Sequence, residues 1–237
     1  MKKKIIVSLS VVVLIFAAFV GYMYIGMIRK MNNSDPTYWR KDIQQIEARY
    51  TEGYPDVDIV FIGSSSIRKW ETLKSDFAPY MVVNHGFGGS KVADSTYYYD
   101  RLVTPFKPEA IVIFSGTNDI HGMTKTSKNG EDVYRLFTEF YEKSRNELPS
   151  VPVYYISISP TKARWKVWKD AEKANELIKE YAQGKVGLTF IDTTEALLKG
   201  GEPNPDILQK DGLHLNEKGY GLWTSIINPI VTKQLKK

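Results

Sequence analysis

IVFIGSSSIRKW, residues 59–70, carries four apolar residues into a glycine and then into three consecutive serines. The apolar run is short and rich in β-branched and aromatic residues, the pattern of a strand covered on both faces of a parallel sheet. Gly63 ends it. A polar turn accounts for Ser64, Ser65 and Ser66, and so does a serine nucleophile presented at a strand end. The remainder of the chain decides between the two.

Working outward, comparable runs recur at 81–84, 110–115, 153–157 and 188–191, which with 58–62 makes five strand candidates. Amphipathic patterns between and around them predict helices near 37–50, 92–103, 131–147, 168–183, 193–199 and 217–234. Strands alternating with helices indicate an α/β fold with a parallel sheet built from right-handed βαβ units. No internal repeat, low-complexity tract or second globular unit is visible. In such sheets ligands bind beyond the C-terminal strand ends, where the strand order reverses, so the residues after each strand carry the functional information.

The first 30 residues stand apart. Residues 5–28 hold no charge, Lys2, Lys3 and Lys4 precede them, and Arg29 and Lys30 follow. As a helix, such a run crosses a hydrocarbon core of about 30 Å. It is longer than the apolar core of a cleavable signal peptide and lacks an A-x-A-like site. We therefore expect an uncleaved signal anchor with its basic end inside and the domain outside the cytoplasmic membrane. The alternative is a secreted or periplasmic protein released by cleavage. Residues 31–54 then read as a polar linker and an N-terminal helix, and residues 55–237 as the globular domain.

The net charge of +5 belongs to this N-terminus. Without its five basic residues the chain has equal numbers of basic and acidic side chains, so nothing points to nucleic acid as a partner. The composition, 43% hydrophobic and 25% charged, is that of a folded protein. The absence of cysteine excludes disulfides, thiolate metal sites and a cysteine nucleophile.

The strand ends converge on one chemistry. Gly63-Ser64-Ser65-Ser66 follows the first strand, Asn84-His85-Gly86-Phe87-Gly88-Gly89-Ser90 the second, and Ser115-Gly116-Thr117-Asn118-Asp119 the third. Asp211-Gly212-Leu213-His214-Leu215-Asn216 precedes the last helix. A serine needs a base to become a nucleophile, and among His85, His121 and His214 only the last has a carboxylate, Asp211, three residues earlier. Gly89, through its backbone, and Asn118, through its amide, are candidate donors for an oxyanion. Each motif singly has an ordinary reading as a turn or a helix cap. Four of them on successive strand ends do not.

In these four blocks the sequence resembles the SGNH/GDSL hydrolases, over about residues 55–235. FIGSSSI, NHGFGGS, GTND and DGLHLN match in order, and the likeness is greatest to the bacterial branch related to platelet-activating-factor acetylhydrolase subunits. The family's Gly-Asp-Ser is Gly63-Ser64-Ser65 here, so the aspartate is missing. The resemblance implies a three-layer α/β/α, flavodoxin-like fold with a five-stranded parallel sheet. It also implies Ser65 as nucleophile, with Ser66 as the alternative, and His214 and Asp211 as the rest of the triad. Ser65, Gly89 and Asn118 would form the oxyanion hole. Ile67 stands where the α/β-hydrolase elbow has its last glycine, and no P-loop, H-E-x-x-H or G-x-G-x-x-G fingerprint is present. No cofactor or metal is implied.

The expected activity is hydrolysis of carboxylic esters, of short acyl chains, through a serine-bound acyl intermediate. An acyltransferase using the same site and a non-catalytic binding protein are the alternatives. The substrate is a small-molecule, lipid or glycan ester, and the membrane is a partner through the N-terminal helix. In SPTKARWKVWKD, residues 159–170, Trp165 and Trp168 are expected on one helix face, either packed on the core or lining a substrate pocket, with Lys162 and Arg164 available to an anionic group.

Overall fold

The structure, a computed structural model, describes residues 2–235. One parallel sheet contains β1 (Ile59–Gly63), β2 (Val82–Gly86), β3 (Ala110–Phe114), β4 (Val153–Ile156) and β5 (Leu188–Ile191), ordered β2-β1-β3-β4-β5. The helices are α1 (Lys2–Asn32), α2 (Arg40–Glu47), α3 (Ser65–Arg68), α4 (Leu73–Asp76), α5 (Val92–Tyr97), α6 (Tyr99–Leu102), α7 (Gly130–Glu147), α8 (Trp168–Gln183) and α9 (Glu217–Thr232).

Successive strand side chains point to opposite faces, which divides the core in two. Val60, Ile62, Ile111, Ile113 and Tyr155 pack with α2, α5, α6, α7 and α8. Ile59, Phe61, Val112, Phe114 and Tyr154 pack with α3, α4 and α9. The result is the three-layer α/β/α arrangement with flavodoxin-like strand order. From β1 the chain steps outward to β2, then returns past β1 to β3. The reversal therefore lies between β1 and β3, the crevice position for a site in such sheets.

Residues 193–199 do not form the expected helix. They give a 3-10 turn (Glu195–Leu197), after which Leu198–Lys199 pairs antiparallel with Glu202–Pro203. Gly200 and Gly201 cause this: φ of +64° and +82° closes a two-residue hairpin open to few other residues. Residues 92–103 form two short helices rather than one. Residues 36–50 form two 3-10 turns flanking α2, and they bury Trp39, Ile43 and Ile46 in the first core layer.

α1 is the one described helix long and apolar enough to cross a membrane, over Val11–Asn32, with mean hydropathy 2.4. Its side chains from 11 to 20 are all exposed. The helix runs two residues into the stretch read as a linker, because Met31 is buried against the folded body.

Candidate active site

The nucleophile candidate sits on a sharp strand-to-helix turn. Gly63 has φ +136°, and a Cβ there would collide with the Phe114 carbonyl oxygen of the neighbouring strand. Ser64 is extended and its N–H donates to Phe114 O at 3.0 Å. Its carbonyl accepts from Ile67 and Arg68, so the chain turns into α3 with Ser65 at the first helical position. The N–H of a first helical residue has no intrahelical acceptor and stays available to a ligand.

His214 reaches this serine across 149 residues of sequence, with Nε2 2.8 Å from Ser65 Oγ. Its Nδ1 lies 2.6 Å from Asp211 Oδ2. The other carboxylate oxygen, Oδ1, accepts the backbone N–H groups of Leu213 and His214 at 2.9 and 3.0 Å. The D-x-x-H spacing is thus one turn of chain that lets a single carboxylate cap the turn and orient the ring. Gln209 holds the loop: its N–H donates to His214 O, its side chain donates to Leu215 O, and it accepts from Lys69. Asn216 ends the motif by capping α9 through Gly219 N. From α9, the Tyr220 hydroxyl donates to Ser66 O at 2.8 Å.

The electrostatics favour a proton acceptor at Nε2. Burial alone would raise the Asp211 carboxyl, but hydrogen bonds from the His214 ring and from two backbone N–H groups hold it at about 2. Burial lowers His214, and the nearby cations Lys69 and Arg68 push the same way, against the pull of Asp211. An ionised Asp211 takes the proton on Nδ1, leaving Nε2 neutral and facing the Ser65 hydroxyl.

Gly89 and Asn118 lie on the loops after β2 and β3. The Asn118 amide donates to Ser90 O at 3.0 Å, and Ser90 Oγ donates to Gly63 O at 3.1 Å, so the three loops are tied together. An amide has two N–H donors, and the second of Asn118 remains for a ligand in the cleft it lines with Ser65. Gly89 has φ +90°. The structure therefore brings together Ser65, His214, Asp211 and Asn118, with Gly89 on the adjoining loop. Asp119 beside them is fully buried and pushed up to about 7 by that burial.

The cleft is small, with about 10 Å³ open to solvent centres, room for about one water molecule. Thr117, Ser159 and Thr161 line it, each with a buried hydroxyl that has no partner among the described residues. Thr117 lies inside the third block and Ser159 and Thr161 inside segment 159–170, but none of the three had been given a role. Their signal was positional, since each follows a strand end.

Segment 159–170 does pass over the site, where Ala163 N–H donates to Gly212 O at 2.9 Å, but it presents Thr161 rather than the tryptophans. Trp165 and Trp168 do not share a helix face: the first lies in a 3-10 turn (Lys162–Val167) and the second opens α8. Their rings stack at 5.9 Å, and Trp168 packs on the core and lines a separate concavity with Phe190. Arg164 is half-buried and does not line the cleft, and its Nε has no described partner. The other histidines serve packing. His85 is fully buried between Tyr50 OH and Leu102 O, and burial pushes it down to about 4. His121 Nδ1 accepts from Met123 N–H. Among the described residues no three His, Asp or Glu side chains form a metal-ligand cluster.

Comparison with known proteins agrees with this fold. The GDSL-like lipase/acylhydrolase family matches residues 43–222. A GDSL-like lipase from Bacteroides thetaiotaomicron superposes with a TM-score of 0.66 at 18% identity, covering 87% of this chain and 100% of its own. A Streptococcus pneumonia protein provisionally described as a platelet activating factor gives 0.72 at 17%, covering 88% and 98%. A carbohydrate esterase of family 3 from Talaromyces cellulolyticus gives 0.59 at 21%, covering 73% and 95%. No curated protein matches the chain. With the family match spanning most of the chain and the fold shared with known acylhydrolases, this chain belongs to the GDSL-like lipase/acylhydrolase family and is an ester hydrolase of the SGNH type.

Proposed function

We propose that the protein is a serine esterase acting through a covalent acyl intermediate, with Ser65 as nucleophile, His214 as base and Asp211 as its orienting carboxylate. His214 Nε2 takes the Ser65 proton as Oγ attacks the ester carbonyl. The oxyanion is held by the N–H groups of Ser65 and Gly89 and by the Asn118 amide. The protonated His214 then gives its proton to the departing alkoxide, leaving an acyl ester on Ser65. Water, deprotonated by His214, attacks that ester; the acyl–Oγ bond breaks, His214 returns its proton to Ser65 Oγ, and the acid is released. The observation that carries this reading is the unbroken chain from Asp211 through His214 to Ser65, at 2.6 and 2.8 Å. The test is labelling with a fluorophosphonate: the tag should map to the peptide holding Ser65, and a site that stays unlabelled sinks the reading.

The small cleft and its three hydroxyls support a short acyl group over a long hydrocarbon chain. In a series of p-nitrophenyl esters, kcat/KM should be highest for acetate or propionate and fall steadily towards octanoate. A maximum at octanoate overturns the assignment. The lysines at the start of α1 support a domain that lies outside the cytoplasmic membrane. A membrane-impermeant fluorophosphonate should therefore label it on intact cells.

Replacing Asn118 with alanine is expected to lower kcat by about 10²–10³-fold, the usual cost of one oxyanion donor. Initial rates on acetate esters would show it. The pH profile follows from His214. Its value lies below the ordinary 6.5, and the neutral ring is the active form. So the acid limb of kcat/KM should be centred below 6.5. Lys69→Ala removes one of the cations that depress the ring, and the acid limb should move to higher pH. A limb centred above 6.5 in the wild type contradicts the assignment of His214 as base.

A further inference from the structure

α1 meets the folded body at its last turn. Residues 11–20 and 22–27 are exposed, whereas Met31 is buried. That turn is bonded to both loops that face Ser65. On the loop after β2, the Lys91 ammonium donates to the Met31 and Asn33 carbonyls, each at 2.7 Å. On the loop after β3, the hydroxyls of Thr124 and Thr126 both donate to Asn32 Oδ1. Lys30 lies over Gly89, where a built Cβ would stand 2.5 Å from Lys30 Cε. No slack tether separates the helix from the site.

This fixes a depth. Ile28 ends the uncharged run, and Lys30 lies about 3 Å further along the helix axis. The polar headgroup layer beyond the hydrocarbon is about 5–8 Å deep on each side. With α1 across a bilayer, the Gly89 loop and the mouth beside it stand at headgroup depth.

The loops next to that helix end are basic. Residues 120–130 and 158–169 hold Lys125, Lys128, Lys162, Arg164, Lys166 and Lys169, and no aspartate or glutamate. Lys125, Lys162, Lys166 and Lys169 are exposed, and none of the six enters an ion pair among the described residues. Lys125 lies between the two threonines that hold Asn32. The two loops touch, since a Cβ at Gly122 would stand 2.5 Å from Val167 Cγ1. The stacked, half-buried rings of Trp165 and Trp168 belong to the second loop. Unpaired lysines interleaved with tryptophan, beside the exit of an apolar helix, match the chemistry of an anionic lipid surface. One helix sets how far the body stands from the bilayer and leaves its tilt free. A second, charged contact sets the tilt.

We propose that the loops at 120–130 and 158–169 are a second membrane contact, which seats the catalytic mouth on an anionic leaflet, so that the enzyme takes short acyl esters held at headgroup depth in the bilayer. This rests on the anchor and esterase readings above.

The test uses the full chain in vesicles of equal parts phosphatidylglycerol and phosphatidylcholine. The chain has no cysteine, so a fluorophore on Ala163→Cys, in the second loop, is unique. Val186→Cys is the control, 93% exposed in the turn before β5 at the opposite end of the sheet. A nitroxide on the lipid headgroup should quench the first probe and spare the second. Combining Lys125→Glu, Lys166→Glu and Lys169→Glu should abolish that difference, as should high salt or pure phosphatidylcholine. The same triple variant should turn over an acetyl diacylglycerol in the vesicles about 10-fold more slowly than the wild type, the scale of a few surface cations. Its rate on p-nitrophenyl acetate should stay level. Equal quenching of the two probes, quenching that survives charge reversal, or an unchanged rate on the acetyl diacylglycerol overturns the second contact and leaves the esterase reading intact. A wild type that neither turns over p-nitrophenyl acetate nor takes a fluorophosphonate label overturns the esterase reading itself.

Discussion

Ser65→Ala is expected to reduce kcat on acetate esters by about 10⁴–10⁶-fold, the scale seen when a hydroxyl nucleophile with a dedicated base is removed. The size follows from what alanine deletes. It takes away the oxygen that His214 Nε2 meets at 2.8 Å, and leaves the fold untouched. The oxyanion donors keep a residual rate above that in water. The neighbouring serines provide the control. Ser66 is tied into the structure by its carbonyl, which accepts from Tyr220, and His214 is not bonded to its hydroxyl. Ser66→Ala should keep both turnover and fluorophosphonate labelling. If Ser66→Ala silences the enzyme and Ser65→Ala does not, the nucleophile has been assigned to the wrong serine.

Asp211→Asn should cost about 10⁴-fold in kcat with little loss of stability. The carboxylate does two jobs. Oδ1 accepts two backbone N–H groups and fixes the loop, while Oδ2 accepts the His214 Nδ1 proton. An asparagine keeps its oxygen on the backbone donors and so turns its NH₂ towards Nδ1. The ring answers by moving its proton to Nε2, where it can no longer accept from Ser65. Circular dichroism should show an unchanged melting curve, and kinetics should show the loss. A fall of less than tenfold would mean that ring orientation does not depend on this carboxylate.

Much of this was legible in the residues because the fold places chemistry at strand ends. The apolar runs ending at Gly63, Asn84 and Ser115 gave β1, β2 and β3 to within two residues, and the blocks after them named Ser65, Gly89 and Asn118. His214 stood out because Asp211 shares its turn. What escaped notice depended on tertiary geometry. α3 is four residues long and has no periodicity to read, since it exists only because Gly63 turns the chain. The tryptophans of segment 159–170 read either as core or as pocket material, and the chain there, a 3-10 turn leading into α8, packs Trp168 on the core and offers Thr161 to the cleft. Lys30 read as the charged end of an anchor, and only folding brings it onto Gly89.

The strand order has a consequence for the timing of activity. Ser65 follows the first strand, while its proposed base, His214, sits in the loop before the last helix, and the Tyr220 hydroxyl on that helix bonds the Ser66 carbonyl. A growing chain therefore carries its serine through synthesis without a partner. The hydroxyl stays an ordinary alcohol until α9 docks against the turn after β1. An esterase wired in this way is silent as a nascent polypeptide. It becomes reactive only as a finished molecule, in whatever compartment its final helix comes to rest.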